Sequence, residues 1–100
     1  MLTKEQITQK LKDNYQYLAV EFGLKKIGLF GSYAKGTQQD KSDIDIVVDF
    51  DKPIGLKFIE FVDYLEVLLG KKTDVITVAG LKGIRSKNIV KSIKQTVKYV

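Results

Sequence analysis

The chain has 100 residues, a net charge of +5, no cysteine and no histidine. This length suits a single domain spanning residues 1–100. The lack of cysteine excludes a disulfide framework, and the lack of histidine removes the most common general base and zinc ligand, so carboxylates and lysines must carry any chemistry. No apolar stretch approaches the ~20 residues of a membrane span and the N-terminus has no signal-peptide core, so we expect a soluble cytoplasmic protein.

The predicted secondary structure alternates helices and strands. A capping box of Thr3 and Gln6 opens a first amphipathic helix, whose apolar residues recur at helical spacing until Gly23. The pattern as a whole is typical of one compact α/β (α+β) unit. The later predicted elements are strand Lys26–Phe30, a helical turn Ser32–Lys35 ended by Gly36, strand Asp43–Phe50, helix Leu56–Leu69 ended by Gly70, strand Thr73–Val78, helix Ser86–Ile93 and an extended tail over residues 97–100.

Two aspartates open the second predicted strand. Because successive side chains of a strand point to opposite faces, Asp43 and Asp45 share one face, whereas Ile44 and Ile46 take the other. Neighbouring carboxylates repel each other unless a cation lies between them, and carboxylate oxygens without His or Cys favour Mg²⁺ or Mn²⁺ over zinc. An isolated Asp-x-Asp also occurs on ordinary solvated strand faces, so the residues upstream decide the interpretation.

A Gly-Ser turn stands immediately after the first predicted strand. Gly31 allows the backbone to come close to a ligand, and the exposed N–H groups at a helix start favour phosphate. Ser32 adds a hydroxyl donor and Lys35 adds a movable positive charge. In isolation, the same residues are typical of a turn with a helix cap. A phosphate cradle followed closely by paired carboxylates, however, is what nucleotide and metal binding require together.

The combination of these two motifs resembles a known signature. Gly31-Ser32, nine intervening residues and the run from Ser42 to Val48 are similar to the signature of the DNA polymerase beta superfamily of nucleotidyltransferases. The short chain resembles the minimal nucleotidyltransferase (MNT) family of that superfamily, the antitoxin partners of HEPN-domain toxins. The resemblance covers residues 27–81 and implies a polymerase-beta-like fold, in which helices pack on a small mixed β-sheet.

The resemblance also implies an activity and a set of ligands. Asp43, Asp45 and a third carboxylate would hold two Mg²⁺ ions, with Mn²⁺ as an alternative metal. Asp74, at the start of the third predicted strand, is the candidate for the third carboxylate, although aspartate is also common in turns. Gly31 and Ser32 would hold the β- and γ-phosphates of ATP. The implied Mg-dependent reaction transfers AMP from ATP to a hydroxyl acceptor, a tyrosine of a HEPN-domain toxin, so that the chain acts as an antitoxin.

The charges are segregated along the chain. Residues 40–51 carry five aspartates and one lysine, whereas residues 82–98 carry six cations and no acid. Such a basic segment attracts triphosphate, nucleic acid or an acidic protein face, although many of its lysines are typical of a solvated helix face. Lys72, two residues before Asp74, and Arg85, the only arginine, are further candidates for nucleotide binding. The planar guanidinium group of arginine suits bidentate binding of phosphate.

Other functions fit the same residues. The chain is alternatively a non-catalytic antitoxin that binds its partner, or a nucleotidyltransferase for a small-molecule acceptor that a second subunit would help to enclose. Direct nucleic-acid binding is disfavoured, because the basic segment has no interleaved aromatic residues. The sequence leaves the acceptor, the preferred base and the oligomeric state open. It also leaves open whether Tyr33 stacks on a nucleobase or covers the Gly-Ser turn.

Overall fold

The computed structural model describes residues 2–83 and 87–100. The described chain alternates helices and strands, as the sequence predicts. In chain order the elements are α1 (Lys4–Phe22), β1 (Leu24–Phe30), α2 (Gly31–Lys35), β2 (Ile44–Phe50), α3 (Lys57–Leu69), β3 (Thr73–Thr77), α4 (Val78–Leu81), α5 (Lys87–Thr96) and β4 (Lys98–Tyr99).

The first helix has the ends that its sequence predicts. The Thr3 hydroxyl accepts a hydrogen bond from the Gln6 backbone N–H at 3.1 Å, and the Gln6 side chain accepts one from the Thr3 N–H at 2.9 Å. Gly23 ends the helix with a φ of 73°, in the left-handed region that glycine adopts without a steric penalty. This capping box and C-cap confirm the prediction.

The four strands form one mixed sheet in the order β3-β2-β1-β4. Strand β2 runs antiparallel to β1 and parallel to β3, while β4 adds to the free edge of β1 in antiparallel orientation. Parallel neighbours need a crossover connection, which α3 supplies between β2 and β3. The predicted fold class, helices packed on a small mixed sheet, is confirmed.

One face of the sheet forms the main hydrophobic core. Ile44, Ile46 and Val48 of β2 are fully buried there against the apolar faces of α1 and α3. The alternating residues of β2 therefore point to the opposite face, where Asp45 and Asp49 are half-buried. This alternation places acidic side chains on the side of the sheet away from α1 and α3.

Several predicted boundaries differ from the structure. Strand β1 begins at Leu24 rather than Lys26, and β2 begins at Ile44, which leaves Asp43 in the connection just before the strand. Helix α5 continues to Thr96 instead of ending at Ile93, and its predicted start at Ser86 lies outside the described residues. The predicted extended tail forms β4. Within the described ranges, no helix combines the length and apolar character needed to cross a membrane.

Candidate active site

The parallel pairing of β2 with β3 brings two of the predicted carboxylates side by side. Asp45 is in register with Asp74 on β3 and with Phe30 at the end of β1. Neighbouring strands lie about 4.8 Å apart, and residues in register project to the same face of a sheet. Asp43, two residues before Asp45, adds a third carboxylate at this end of the strands. We call Asp43, Asp45 and Asp74 the carboxylate cluster.

Hydrogen bonds hold the strand starts that carry this cluster. The Ile44 backbone N–H donates to the Lys72 carbonyl oxygen at 3.1 Å, which joins the start of β2 to the residues preceding β3. The Thr73 N–H donates to Glu66 Oε2 at 2.9 Å, so a side chain near the end of α3 fixes the start of β3. Sequence reasoning missed Glu66, because nothing in the helical pattern distinguishes a carboxylate that bonds a later strand from a solvated one.

Burial and the neighbouring charges of the carboxylate cluster shift the pKa of Asp45. Burial raises the pKa of the Asp45 carboxyl above its ordinary value, and the negative charges of Asp74 and Asp43 raise this pKa further. Asp45 is half-buried and Asp74 is exposed, so the cluster opens to solvent. Its electrostatics therefore favour either a proton or a cation between the carboxylates.

Gly31 adjoins this cluster. It begins α2 with a φ of 72°, and a Cβ atom added there would overlap Asp45 Oδ2 and lie 3.0 Å from Asp45 Cγ. The sequence predicts that glycine serves close approach of a phosphate. The contact that the structure provides is with the carboxylate of Asp45, so Gly31 is required to admit that side chain.

The remaining predicted site residues lie around the short helix α2 and near β3. The Ser32 hydroxyl forms no hydrogen bond with any residue of the described chain, and it therefore remains available as a donor. Lys35, in the last turn of α2, and Lys72 are exposed, and their ammonium groups have no ion-pair or hydrogen-bond partner within the described ranges. The prediction for Arg85 falls outside the described residues.

Tyr33 belongs to the core. Its side chain is 0% exposed, and its hydroxyl has no hydrogen-bond partner in the described part of the chain. A ring buried in this way cannot stack on a nucleobase at the surface. Of the two alternatives that the sequence leaves open, covering the turn from the inside is the one that the structure supports.

The three carboxylates do not converge on one point. No group of three or more His, Cys, Asp or Glu within residues 2–83 and 87–100 is placed so that it could hold a metal ion together. The chemistry of the donor set nevertheless suits a hard divalent cation, since its ligands are carboxylate oxygens whose mutual repulsion such an ion would relieve. Binding would require the side chains to turn towards each other.

The fold and the carboxylate-bearing end of the sheet define a nucleotidyltransferase. The model of the nucleotidyltransferase domain family matches residues 4–100, and the chain belongs to this family. Among its relatives, the protein adenylyltransferase MntA of Thermococcus cleftensis is 43% identical over 101 residues, which cover 100% of this chain and 98% of the relative. The predicted family resemblance is confirmed.

Solved structures show the same architecture. The structure of a protein assigned as a minimal nucleotidyltransferase superposes with a TM-score of 0.75 at 21% identity, covering 97% of this chain and 95% of that one, and this likeness concerns the fold. A toxin-antitoxin complex with AMP-PNP contains a chain that is 28% identical, with a TM-score of 0.64, covering 98% of this chain and 72% of that one. An ATP analogue thus accompanies a chain with this fold.

Proposed function

We propose that this chain transfers AMP from ATP to a tyrosine hydroxyl of a HEPN-domain toxin and thereby acts as an antitoxin. The observation that carries the proposal is the register of Asp45 with Asp74, with Asp43 beside them and Gly31 against Asp45. The full-length similarity to a relative named protein adenylyltransferase supports AMP as the transferred group and a protein as its acceptor. The toxin-antitoxin complex with AMP-PNP supports a toxin as that protein.

The residues around α2 would bind the triphosphate. We assign the β- and γ-phosphates to the backbone N–H groups at Gly31 and to the unbonded hydroxyl of Ser32. The exposed ammonium groups of Lys35 and Lys72 and the guanidinium group of Arg85 would supply positive charge to the same phosphates. The assignment of Gly31 and Ser32 rests on the position of the turn beside the carboxylate cluster, and that of Arg85 rests on the phosphate-binding chemistry of its guanidinium group.

The carboxylate cluster would hold two Mg²⁺ ions, with Mn²⁺ as an alternative. Its residues offer oxygen ligands only, and besides burial the charges of Asp74 and Asp43 raise the pKa of Asp45, a repulsion that a cation would relieve. When bound, the ions supply Lewis-acid stabilisation of the charge that develops on the attacking and leaving oxygens. Asp43 and Asp45 would be ligands to the two ions, and Asp74 would be a ligand to the ion that activates the acceptor hydroxyl.

In the proposed reaction the tyrosine oxygen attacks the α-phosphorus of ATP. A bond forms between this oxygen and phosphorus, the bond from phosphorus to the bridging oxygen of the β-phosphate breaks, and pyrophosphate leaves with the bonding electron pair. The hydroxyl proton passes to water. Gly31 and Ser32 keep the leaving pyrophosphate in place, so that the attack occurs in line.

A protein acceptor suits the size of this chain. A domain of 100 residues that arranges a nucleotide and two metals has little surface left to enclose a second substrate, so a macromolecular partner would complete the site. Because ATP is the co-substrate, the proposal includes a cytoplasmic location, where ATP is abundant.

Intact-mass spectrometry tests this function. A HEPN-domain toxin incubated with this protein, ATP and Mg²⁺ should gain one or more adenylyl groups, whereas the same incubation with the Asp43→Asn variant should add none. An unmodified toxin in both reactions would contradict the proposed function.

The alternative is a non-catalytic antitoxin that neutralises its partner by binding, for which the cationic groove formed by Lys82, Lys87, Lys91 and Lys94 offers a charged surface. The same variant separates the two functions. If the Asp43→Asn protein still blocks the toxin and the toxin carries no adenylyl group, neutralisation by binding replaces the proposed reaction.

A further inference from the structure

Two separate segments carry the outer carboxylates of the cluster. Asp43 ends the connection between α2 and β2, and Asp74 follows the short turn between α3 and β3. These segments are far apart in sequence, so their relative position depends on contacts between them. Two hydrogen bonds join them. The Ile44 backbone N–H donates to the Lys72 carbonyl oxygen at 3.1 Å, next to Asp43, and one side chain makes the second contact, further from the strands.

Lys71 joins the two segments. Its ammonium group donates a hydrogen bond to the backbone carbonyl oxygen of Asp40 at 2.6 Å, across 31 residues of sequence. Within the described chain, no other side-chain hydrogen bond links residues 37–43 with residues 70–74, and Lys71 forms no ion pair with the Asp40 carboxylate. The contact is therefore a charge-assisted hydrogen bond to the backbone, a strong type of hydrogen bond.

The Lys71 end of this contact is fixed. The Lys71 carbonyl accepts a hydrogen bond from the Thr73 hydroxyl at 3.1 Å, and Thr73 is itself buried, with its N–H bonded to Glu66. The side chain of Lys71 thus extends from a turn that the core holds in place. Any freedom between the two segments lies on the side of Asp40.

The Asp40 end is a small turn closed by two hydrogen bonds. The Ser42 N–H donates to the Gln39 carbonyl at 2.9 Å, and the Gln39 N–H donates to the Ser42 hydroxyl at 2.9 Å. Residues 39–41 are exposed, and none of them belongs to the hydrophobic core. Fixing Asp40 consequently fixes the turn that leads directly into Asp43.

We infer that Lys71 is a positioning residue, which together with the backbone bond from Ile44 to Lys72 holds the turn before Asp43 in place relative to Asp74. It acts through the backbone of Asp40 and touches no reacting atom. The inference rests on the proposed function for its catalytic consequence, but the contact itself restrains the turn whether or not the chain transfers AMP.

Four variants test this role. Lys71→Met removes the donor and keeps the aliphatic stem, and Lys71→Arg keeps a charged donor. Lys41→Met removes a charge from the same exposed turn, where Lys41 has no partner within the described ranges. Asp40→Asn changes the Asp40 side chain but leaves its carbonyl in place. Thermal melting of all four checks that each variant folds.

The first measurement is hydrogen exchange of the amides in residues 39–42, without metal or nucleotide. Lys71→Met should speed exchange about fivefold, the effect of losing one solvent-exposed hydrogen bond, while Lys41→Met and Asp40→Asn should match the parent. Equal exchange in Lys71→Met and the parent overturns the inference. Faster exchange in Asp40→Asn also overturns it, because the Asp40 carboxylate would then be the partner.

The second measurement is transfer to the toxin as a function of Mg²⁺ and ATP. Lys71→Met should lower kcat and raise the Mg²⁺ concentration for half-maximal rate several-fold, with the KM for ATP unchanged, and Lys71→Arg should recover most of the rate. A raised KM for ATP with an unchanged Mg²⁺ dependence would place Lys71 in nucleotide binding and overturn the positioning role. If the parent itself transfers no AMP, the proposed function fails while hydrogen exchange still tests the restraint.

Discussion

At the scale of single residues, Asp45 is the point where the proposed chemistry opposes stability. Its pKa is raised from 3.8 by burial and by the charges of Asp74 and Asp43, so the folded state favours the protonated form. This contribution to stability is fully present below the unfolded pKa of 3.8 and is lost as the pH rises through the higher folded pKa. At neutral pH the ionised Asp45 carboxylate therefore destabilises the folded state.

We expect Asp45→Asn to raise the melting temperature at pH 7 and to abolish AMP transfer. The free energy of unfolding should rise by less than about 1 kcal/mol, because the Asp45 side chain is only half-buried and water screens its charge. Below pH ~3 the difference should vanish, since the carboxyl is then protonated in both folded and unfolded chains. Calorimetric melting of both proteins across this pH range measures the effect, and a variant that melts lower than the parent at pH 7 would contradict it.

Gly31 gives a second prediction at this scale. Gly31→Ala should destabilise the protein by about 1–2 kcal/mol from the left-handed backbone alone, and by more because its Cβ overlaps the Asp45 carboxylate. Gly36→Ala is the matched control, since Gly36 has a φ of 76° but nothing lies within 4 Å of its Cβ position. Denaturant unfolding compares the two variants.

The same experiment identifies the contact that makes Gly31→Ala more destabilising than Gly36→Ala. Adding Asp45→Ala to Gly31→Ala should recover part of the lost stability, because the overlapping carboxylate is gone, whereas the two changes would simply add if Gly31 served only its own turn. Equal destabilisation by Gly31→Ala and Gly36→Ala would show that the overlap has no consequence.

At the scale of secondary-structure elements, residues that act within one helical turn predict the ends of helices well. Features that depend on contacts between distant residues are not predicted from the sequence. The ends of α1 follow from Thr3, Gln6 and Gly23, whose effects act within one helical turn, and these were predicted correctly. Helix α4 was missed because Val78 continues the β-branched pattern of β3. The signal that separates them is Thr77, whose hydroxyl accepts from the Gly80 N–H at 2.9 Å and caps the short helix.

The candidate site depends both on local motifs and on contacts between distant residues. The sequence supplied Asp43, Asp45, Asp74 and Gly31 through motif and resemblance, but their adjacency depends on parallel pairing across α3, which no local pattern encodes. Lys71 was missed for the same reason, since its partner lies 31 residues away. The roles of the site residues, and the organisation of residues 1–100 as a single domain, stay predictions.

At the scale of the whole molecule, charge is segregated in space as well as along the chain. Lys82, Lys87, Lys91 and Lys94 line one groove between α4 and α5, together with the apolar side chains of Leu81 and Val90. None of these four ammonium groups has an ion-pair or hydrogen-bond partner among the described residues. The carboxylate cluster, by contrast, concentrates negative charge at the start of β2 and β3. An acidic face of a protein acceptor would be attracted to the groove while its hydroxyl reaches the cluster.

We therefore expect the double variant Lys87→Glu/Lys91→Glu to raise the KM for the toxin roughly tenfold at low ionic strength, because opposite charges steer association. The gap to the parent should close as salt is added, since exposed charges are screened. Lys12→Glu/Lys52→Glu changes the net charge equally at exposed sites outside the groove and should have a much smaller effect. Steady-state transfer at several salt concentrations measures both variants. Equal losses in the two would mean that only net charge matters, and a raised KM for ATP in the groove variant would instead assign these lysines to the triphosphate.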